Sequence, residues 1–155
     1  MRTIVIELLR FDKDGKTCAR CEDTAQAVRK VIAKMSALLG NSGTTLEFRE
    51  VPLSAEQIDE SNSVRVNGRD LTEILRETES EMTDCPSCSE LIGTETCCRS
   101  FIYRGHRHDS ITEEMLREGI LCVFAPPLPL ALRRTRTSNP CAAALACAGS
   151  VPNPG

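Results

Sequence analysis

The chain has 155 residues and a formal net charge of −3 with mixed signs, which gives no electrostatic basis for binding nucleic acid. The length suffices for one domain with an apolar core, and no apolar run is long enough to span a bilayer. The N-terminus has a strand pattern rather than that of a signal peptide, so we expect a cytoplasmic protein. Structural disulfides are rare in that compartment. Nine cysteines therefore favour metal binding or redox exchange.

The first elements surround a CxxC motif. An apolar run over residues 3–9 predicts a buried strand, and a polar loop over residues 12–16 follows it. The motif, Cys18 to Cys21, comes next and leads directly into a helical pattern. The apolar positions of that helix are Ala25, Val28, Ile32, Met35 and Leu39.

Further strand, turn and helix signals follow between residues 46 and 81. Residues 46–51 alternate as a strand, and Ser54 to Gln57 form a capping box that opens a short helix. Residues 64–66 form a short strand, and Asn67-Gly68 is a strong hairpin signal. We expect a helix from Leu71 that continues into residues 77–81. The order predicted for residues 1–78 is therefore β-α-β-α-β-β-α.

The second half begins with a cysteine-rich loop from Cys85 to Cys98. Residues 100–104 predict a strand, and a second capping box over residues 110–113 precedes a helix that includes residues 115–123. Composition changes at Ala125, after which proline and alanine dominate. We expect a domain over residues 1–124 that includes a cysteine-rich extension (82–99), and a disordered or loosely packed tail over residues 125–155.

The CxxC motif has the arrangement of a dithiol redox site. Cys18 at a helix N-terminus would be the nucleophile, because free N–H groups, the helix dipole and nearby Lys13, Lys16 and Arg20 favour its thiolate. Cys21 would resolve a mixed disulfide at Cys18. Two alternatives stay open, because zinc ribbons use the same spacing and because the pair could be inert, packed thiols.

Cys85, Cys88, Cys97 and Cys98 form a second constellation within the cysteine-rich loop. Such thiolates can build a sulfur-rich tetrahedral zinc site, although adjacent cysteines are awkward ligands and only one of Cys97 and Cys98 is needed. The alternatives are a second dithiol that relays electrons to Cys18 and Cys21, or a reduced, flexible loop.

Two histidines follow the predicted strand. Alternation would place His106 and His108 on one face, where they could bind a metal ion as a pair. The turn chemistry of Gly105 and Asp109 instead favours a solvated turn.

The order of elements and the position of Cys18 and Cys21 resemble the thioredoxin fold. A similarity to glutaredoxin-like proteins extends to Val64–Gly68, and the resemblance covers residues 3–78. The second half, with Cys85-Pro-Ser-Cys88, Cys98-Arg99 and Tyr103-Arg-Gly105, is similar to an uncharacterised bacterial thioredoxin-like family with a cysteine-bearing extension. The resemblance implies an α/β, thioredoxin-like fold: a mixed central sheet flanked by helices, with a cysteine-rich loop and a disordered tail.

Two residues depart from the thioredoxin pattern. Asn62-Ser63 stands where that family has a cis-proline before the third strand, and Thr17 replaces the usual aromatic residue before the first cysteine. In the family, the proline shapes the substrate groove and shields the thiols from metal. Its absence therefore favours metal or metalloid capture over general protein disulfide reduction.

We expect thiol–disulfide exchange through Cys18 and Cys21 on a protein or glutathione-like partner, which would make the chain a thiol–disulfide oxidoreductase without a required cofactor. The alternative is thiolate binding or transfer of a soft ion such as zinc, mercury or arsenite without turnover. A third reading is a zinc-stabilised interaction domain. Neither nucleic acid nor a membrane is an expected partner.

Overall fold

A computed structural model describes residues 1–125 of the chain and shows a mixed α/β protein with two sheets. The predicted order over residues 1–78 is confirmed, with a 3₁₀ helix in the position of the second helix. The tail predicted from residue 125 onward lies, apart from Ala125, outside the described residues. The strands are β1 (Arg2–Phe11), β2 (Thr44–Leu53), β3 (Ser63–Val66), β4 (Arg69–Asp70), β5 (Thr78–Asp84), β6 (Cys97–Tyr103) and β7 (His106–His108).

Within residues 1–125, four α-helices and one 3₁₀ helix accompany these strands. The longest of them, α1 (Ala19–Gly40), is the next element after β1, and the capping box predicted at Ser54 opens the 3₁₀ helix. None of the described helices is long and apolar enough to cross a membrane. The helices are α1 (Ala19–Gly40), the 3₁₀ helix (Ala55–Glu60), α2 (Leu71–Ile74), α3 (Pro86–Ile92) and α4 (Glu113–Phe124).

The first sheet has the strand order β2-β1-β3-β4. Strand β1 runs parallel to β2 and antiparallel to β3, and β3 and β4 form the hairpin that Asn67-Gly68 predicts. Asn67 and Gly68 have φ angles of 49° and 82°. Positive φ at both central residues is what a type I′ hairpin turn requires, which explains the asparagine–glycine pair.

The second sheet, with the order β5-β6-β7, corrects two expectations. A single central sheet was expected, and residues 77–81 were expected to extend a helix from Leu71. Helix α2 instead ends at Ile74, and Glu79 to Glu81 lie in β5, paired with β6. Pairing with β6 therefore outweighs the poor strand propensity of these charged residues.

One apolar core joins both sheets and the helices α1, α2 and α4. Strand β1 contributes Ile4, Ile6 and Leu8, and β6 contributes Phe101. The predicted face of α1 is buried except at Ile32, which is only half-buried because Val31 occupies the core side of that turn. Helix α4 begins at Glu113 with Thr112 rather than Ser110 as its cap, and its buried residues are Met115, Leu116, Gly119, Ile120 and Cys122.

A half-buried ion pair connects the two sheets. The Arg99 guanidinium on β6 lies 3.0 and 3.3 Å from the two carboxylate oxygens of Asp70 on β4, and it also donates to the Ser63 hydroxyl. Burial acts to raise the pKa of Asp70, but the hydrogen bonds and charge of Arg99, together with Thr72, outweigh it and hold that pKa below its usual range. Unfolding releases this carboxylate from its partner.

We expect Asp70→Asn to lower the free energy of unfolding at pH 7 by about 2 kcal/mol, because it removes a charged hydrogen-bond acceptor but keeps a side chain that caps α2. A folded-state pKa below the unfolded value stabilises the protein above that unfolded pKa, and the contribution disappears as pH falls through the folded pKa. The difference between variant and wild type should therefore narrow below about pH 4 in chemical unfolding. Glu113→Gln, which breaks the exposed pair with Lys34, is the control and should change little.

Candidate metal centre

Five cysteines from both halves of the chain gather in one buried cluster. Each is at most 1% exposed, and Ile58 and Leu91 pack against them. The two constellations seen in the sequence are therefore one site. Its members are Cys18, Cys21, Cys85, Cys88 and Cys98.

The N-terminus of α1 positions the first two thiols. Cys18 is the N-cap residue and uses no side-chain hydrogen bond to cap the helix, so its sulfur is free to face the cluster. The Ser87 hydroxyl from α3 instead accepts a hydrogen bond from the Ala19 N–H at 3.0 Å. Cys21 lies one turn further on and is fully buried. The strand–loop–CxxC–helix arrangement expected from the sequence is present.

Helix α3 positions the next two thiols, where a cysteine-rich loop was expected. Cys85 is the N-cap residue, Pro86 occupies the first turn, and the left-handed Gly93 ends the helix. The Cys85 N–H also donates to the Thr96 carbonyl at 3.0 Å, which ties the start of α3 to the residue before β6. Cys85 and Cys88 are three residues apart, so both reach the same side of the helix.

The adjacent residues Cys97 and Cys98 lie on opposite faces of β6. Successive side chains of a strand point to opposite faces. Cys98 is fully buried in the cluster, whereas Cys97 is exposed and lies outside it. Of the four loop cysteines singled out in the sequence, the structure thus brings together Cys85, Cys88 and Cys98, and it adds Cys18 from the CxxC motif.

The sulfur atoms of Cys18, Cys85, Cys88 and Cys98 lie within 4.8 Å of one another. A tetrahedral zinc site with zinc–sulfur bonds of about 2.3 Å has sulfur–sulfur distances of about 3.8 Å. The four thiols could therefore hold a metal ion after small side-chain adjustments. Cys21 does not belong to this group of four, although it packs in the same cluster.

The thiols of the cluster shift each other's pKa in opposite directions. Hydrogen bonds from the thiols of Cys21, Cys88 and Cys98 lower the pKa of Cys18 strongly, against the effect of burial. The hydrogen bonds to Cys18 in turn raise the pKa of Cys21, Cys88 and Cys98. Among these four thiols, Cys18 is therefore the one whose pKa is lowered. The stabilising groups are thiols, whereas the sequence suggested the cations Lys13, Lys16 and Arg20.

Arg20 has a structural role that the sequence did not reveal. Its guanidinium donates to the backbone carbonyls of Thr83, Asp84 and Cys98, at distances of 2.5 to 3.4 Å. These carbonyls belong to the strand ends that flank α3. Arg20 therefore fastens the N-terminus of α1, which carries Cys18, to the elements that carry the other three thiols.

Ser61 lies beside Cys21, and the buried Asn62 follows it in the chain. The Ser61 hydroxyl lies 3.2 Å from the Cys21 sulfur and accepts a hydrogen bond from the Phe11 N–H at 2.9 Å. The fully buried Asn62 donates to the carbonyls of Arg99 and Asp109 and accepts from Thr24 at 2.7 Å. Asn62 has a φ angle of 60°, which asparagine tolerates better than most residues. Only the structure identifies these polar neighbours.

The histidines are not part of the cluster. His106 and His108 lie in β7, where His106 is exposed and the His108 ring lies 6.5 Å from that of Tyr103. Neither belongs to the group of potential metal ligands found within residues 1–125.

Comparison with known proteins places this site within a family. Residues 4–120 match the family model described as a domain of unknown function, DUF2703. An uncharacterised protein of Archaeoglobus fulgidus is 30% identical over 98 residues, which cover 61% of this chain and 69% of that protein. No solved structure matches the chain. The matched residues include all five clustered cysteines, and the chain belongs to the DUF2703 family.

Proposed function

We propose that the protein binds one soft metal ion through the thiolates of Cys18, Cys85, Cys88 and Cys98, with zinc as the first candidate. The observation that carries this proposal is the approach of the four buried sulfur atoms to within 4.8 Å of one another. Three separate elements supply them. These elements lie far apart in the sequence, so the fold as a whole brings the four sulfur atoms together.

The donor set favours thiophilic ions. All four potential ligands are sulfur atoms, which suit zinc, cadmium, mercury or copper(I) and do not suit magnesium or calcium. Four protein ligands complete a tetrahedral site and leave no open position for a substrate. This supports binding, storage or transfer of the ion rather than metal-dependent turnover.

We also infer a thioredoxin-like arrangement for the first sheet and its helices. The order β2-β1-β3-β4, with β1 parallel to β2 and antiparallel to β3, supports it. The CxxC motif at the N-terminus of α1 supports it as well. On this view, β5, α3 and β6 form an addition that brings three further thiols to the dithiol position.

Thiol–disulfide exchange by Cys18 and Cys21 is the second candidate. The lowered pKa of Cys18 favours it, because the thiolate is the attacking species. Both sulfur atoms are completely buried, however, so a protein disulfide would need a local opening to reach them. We therefore rank this function below metal binding.

Titration of the reduced chain with cadmium, followed by thiolate-to-metal charge-transfer absorption, tests the proposal. We expect saturation at about one ion per chain, as a four-ligand site requires. Cys85→Ser combined with Cys88→Ser should abolish the absorption. Absence of uptake by the folded wild type would refute metal binding. Accumulation of a mixed disulfide on Cys18 in Cys21→Ser would then support exchange instead.

A further inference from the structure

We propose that oxidation of Cys18 and Cys21 to a disulfide releases the bound metal ion, so that the site is a peroxide-responsive metal store. This inference rests on the proposed metal site and adds its regulation. Cys18 belongs both to the CxxC pair and to the group of four sulfur atoms. A sulfur atom in a disulfide is no longer a thiolate ligand, so the two states of Cys18 exclude one another.

Cys21 is placed to form that disulfide. It lies three residues after Cys18 in the first turn of α1, and both cysteines belong to the same buried cluster. A tetrahedral ion bound by the other four sulfur atoms leaves Cys21 as a fifth, uncoordinated thiol. The Ser61 hydroxyl, 3.2 Å from the Cys21 sulfur, holds it in the cluster.

The oxidant we propose is hydrogen peroxide, since the buried sulfur atoms exclude bulky disulfides more readily than a small neutral molecule. The Cys18 thiolate attacks one peroxide oxygen, which breaks the O–O bond, gives a sulfenic acid and releases hydroxide. The Cys21 thiol then attacks the Cys18 sulfur, which forms the disulfide and expels water. Overall, one thiolate and one thiol lose two electrons, and one peroxide becomes one hydroxide and one water.

Loss of Cys18 leaves the ion with three protein ligands. Removal of a single outer-shell partner typically lowers metal affinity by about 10- to 100-fold, and a lost ligand should cost more. The ion therefore dissociates when a competing chelator is present. Reduction of the disulfide by a small dithiol would restore the fourth ligand and allow the ion to bind again.

The test compares zinc-loaded wild type, Cys21→Ser and the exposed-site control Cys97→Ser, treated with hydrogen peroxide in the presence of a chromophoric chelator. Wild type and Cys97→Ser should release about one zinc per chain, show a Cys18–Cys21 disulfide by mass spectrometry, and reload after dithiothreitol. Cys21→Ser should bind zinc as tightly as wild type and should also lose the ion to peroxide, but it should fail to reload after dithiothreitol, because without Cys21 the Cys18 sulfenic acid oxidises further to sulfinic acid.

Full reloading of Cys21→Ser after dithiothreitol, or a wild-type disulfide between other cysteines, would overturn the inference. If Cys21→Ser does not fold, Cys21→Ala and the disulfide mapped in wild type decide the question. Failure of the proposed function is separate, because it appears as a wild type that takes up no zinc before peroxide is added.

Discussion

Cys98→Ser is expected to lower the affinity for zinc by more than about 100-fold, whereas Cys97→Ser should leave it unchanged. The two residues are neighbours in β6, yet Cys98 is completely buried in the cluster and Cys97 is exposed. A serine hydroxyl is a poor replacement for a thiolate on a soft ion. The pair thus provides two isosteric changes at adjacent positions with opposite expected results.

Competition with a chelator of known affinity measures the zinc dissociation constant of each variant, and circular dichroism of the metal-free variants checks that each is folded. A similar loss in both variants would mean that β6 as a whole, rather than one sulfur atom, supports binding. A larger loss in Cys97→Ser would show that the face of β6 assigned to the site is the wrong one.

Zinc should also raise the thermal unfolding midpoint by about 8–16 °C when its free concentration is about 1,000 times the dissociation constant. The ion connects α1 to α3 and β6, and these ligands separate on unfolding, so metal binding stabilises the folded chain directly. Binding at that concentration increases the free energy of unfolding by about 4 kcal/mol through mass action. Differential scanning calorimetry with zinc and with a chelator measures the shift.

The variant that lacks both Cys85 and Cys88 is the control for this experiment, since it should unfold at the same temperature under both conditions. An unchanged wild-type midpoint, or an equal shift in the control, would argue against a specific centre. An increase in the control alone would indicate binding to a site elsewhere on the chain.

Local sequence signals predict much of the first half. The alternation and apolar pattern of β1 and α1 determine which residues face the core, and Asn67-Gly68 predicts its hairpin because few other pairs adopt positive φ twice. The position of Cys18 at a helix N-terminus also follows from order along the chain. These features depend on neighbours within a few residues, which a single sequence contains.

The composition of the site depends on long-range packing and could not be predicted in full. Pro86 and Gly93 are ordinary start and stop signals for a helix, so the sequence does indicate α3 in place of the predicted loop. Strand alternation in β6 likewise indicates that Cys97 and Cys98 face opposite sides. Nothing near Cys18 indicates that its partners come from residues 85–98. The charged residues of β5 have low strand propensity, so the sequence does not indicate this strand. Its pairing with β6 is a contact that local sequence does not contain.

The most direct test of the metal centre is zinc-edge X-ray absorption of the zinc-loaded wild type and of a variant that combines Cys18→Ser with Cys21→Ser, so that the fifth thiol of the cluster cannot replace the lost ligand. The structure predicts four sulfur neighbours at about 2.3 Å in the wild type, and three sulfur neighbours with one oxygen or nitrogen in the variant. Four sulfur neighbours in both proteins would contradict the account, because they would show that neither cysteine of the CxxC motif is a ligand and that the two halves of the chain do not share the ion.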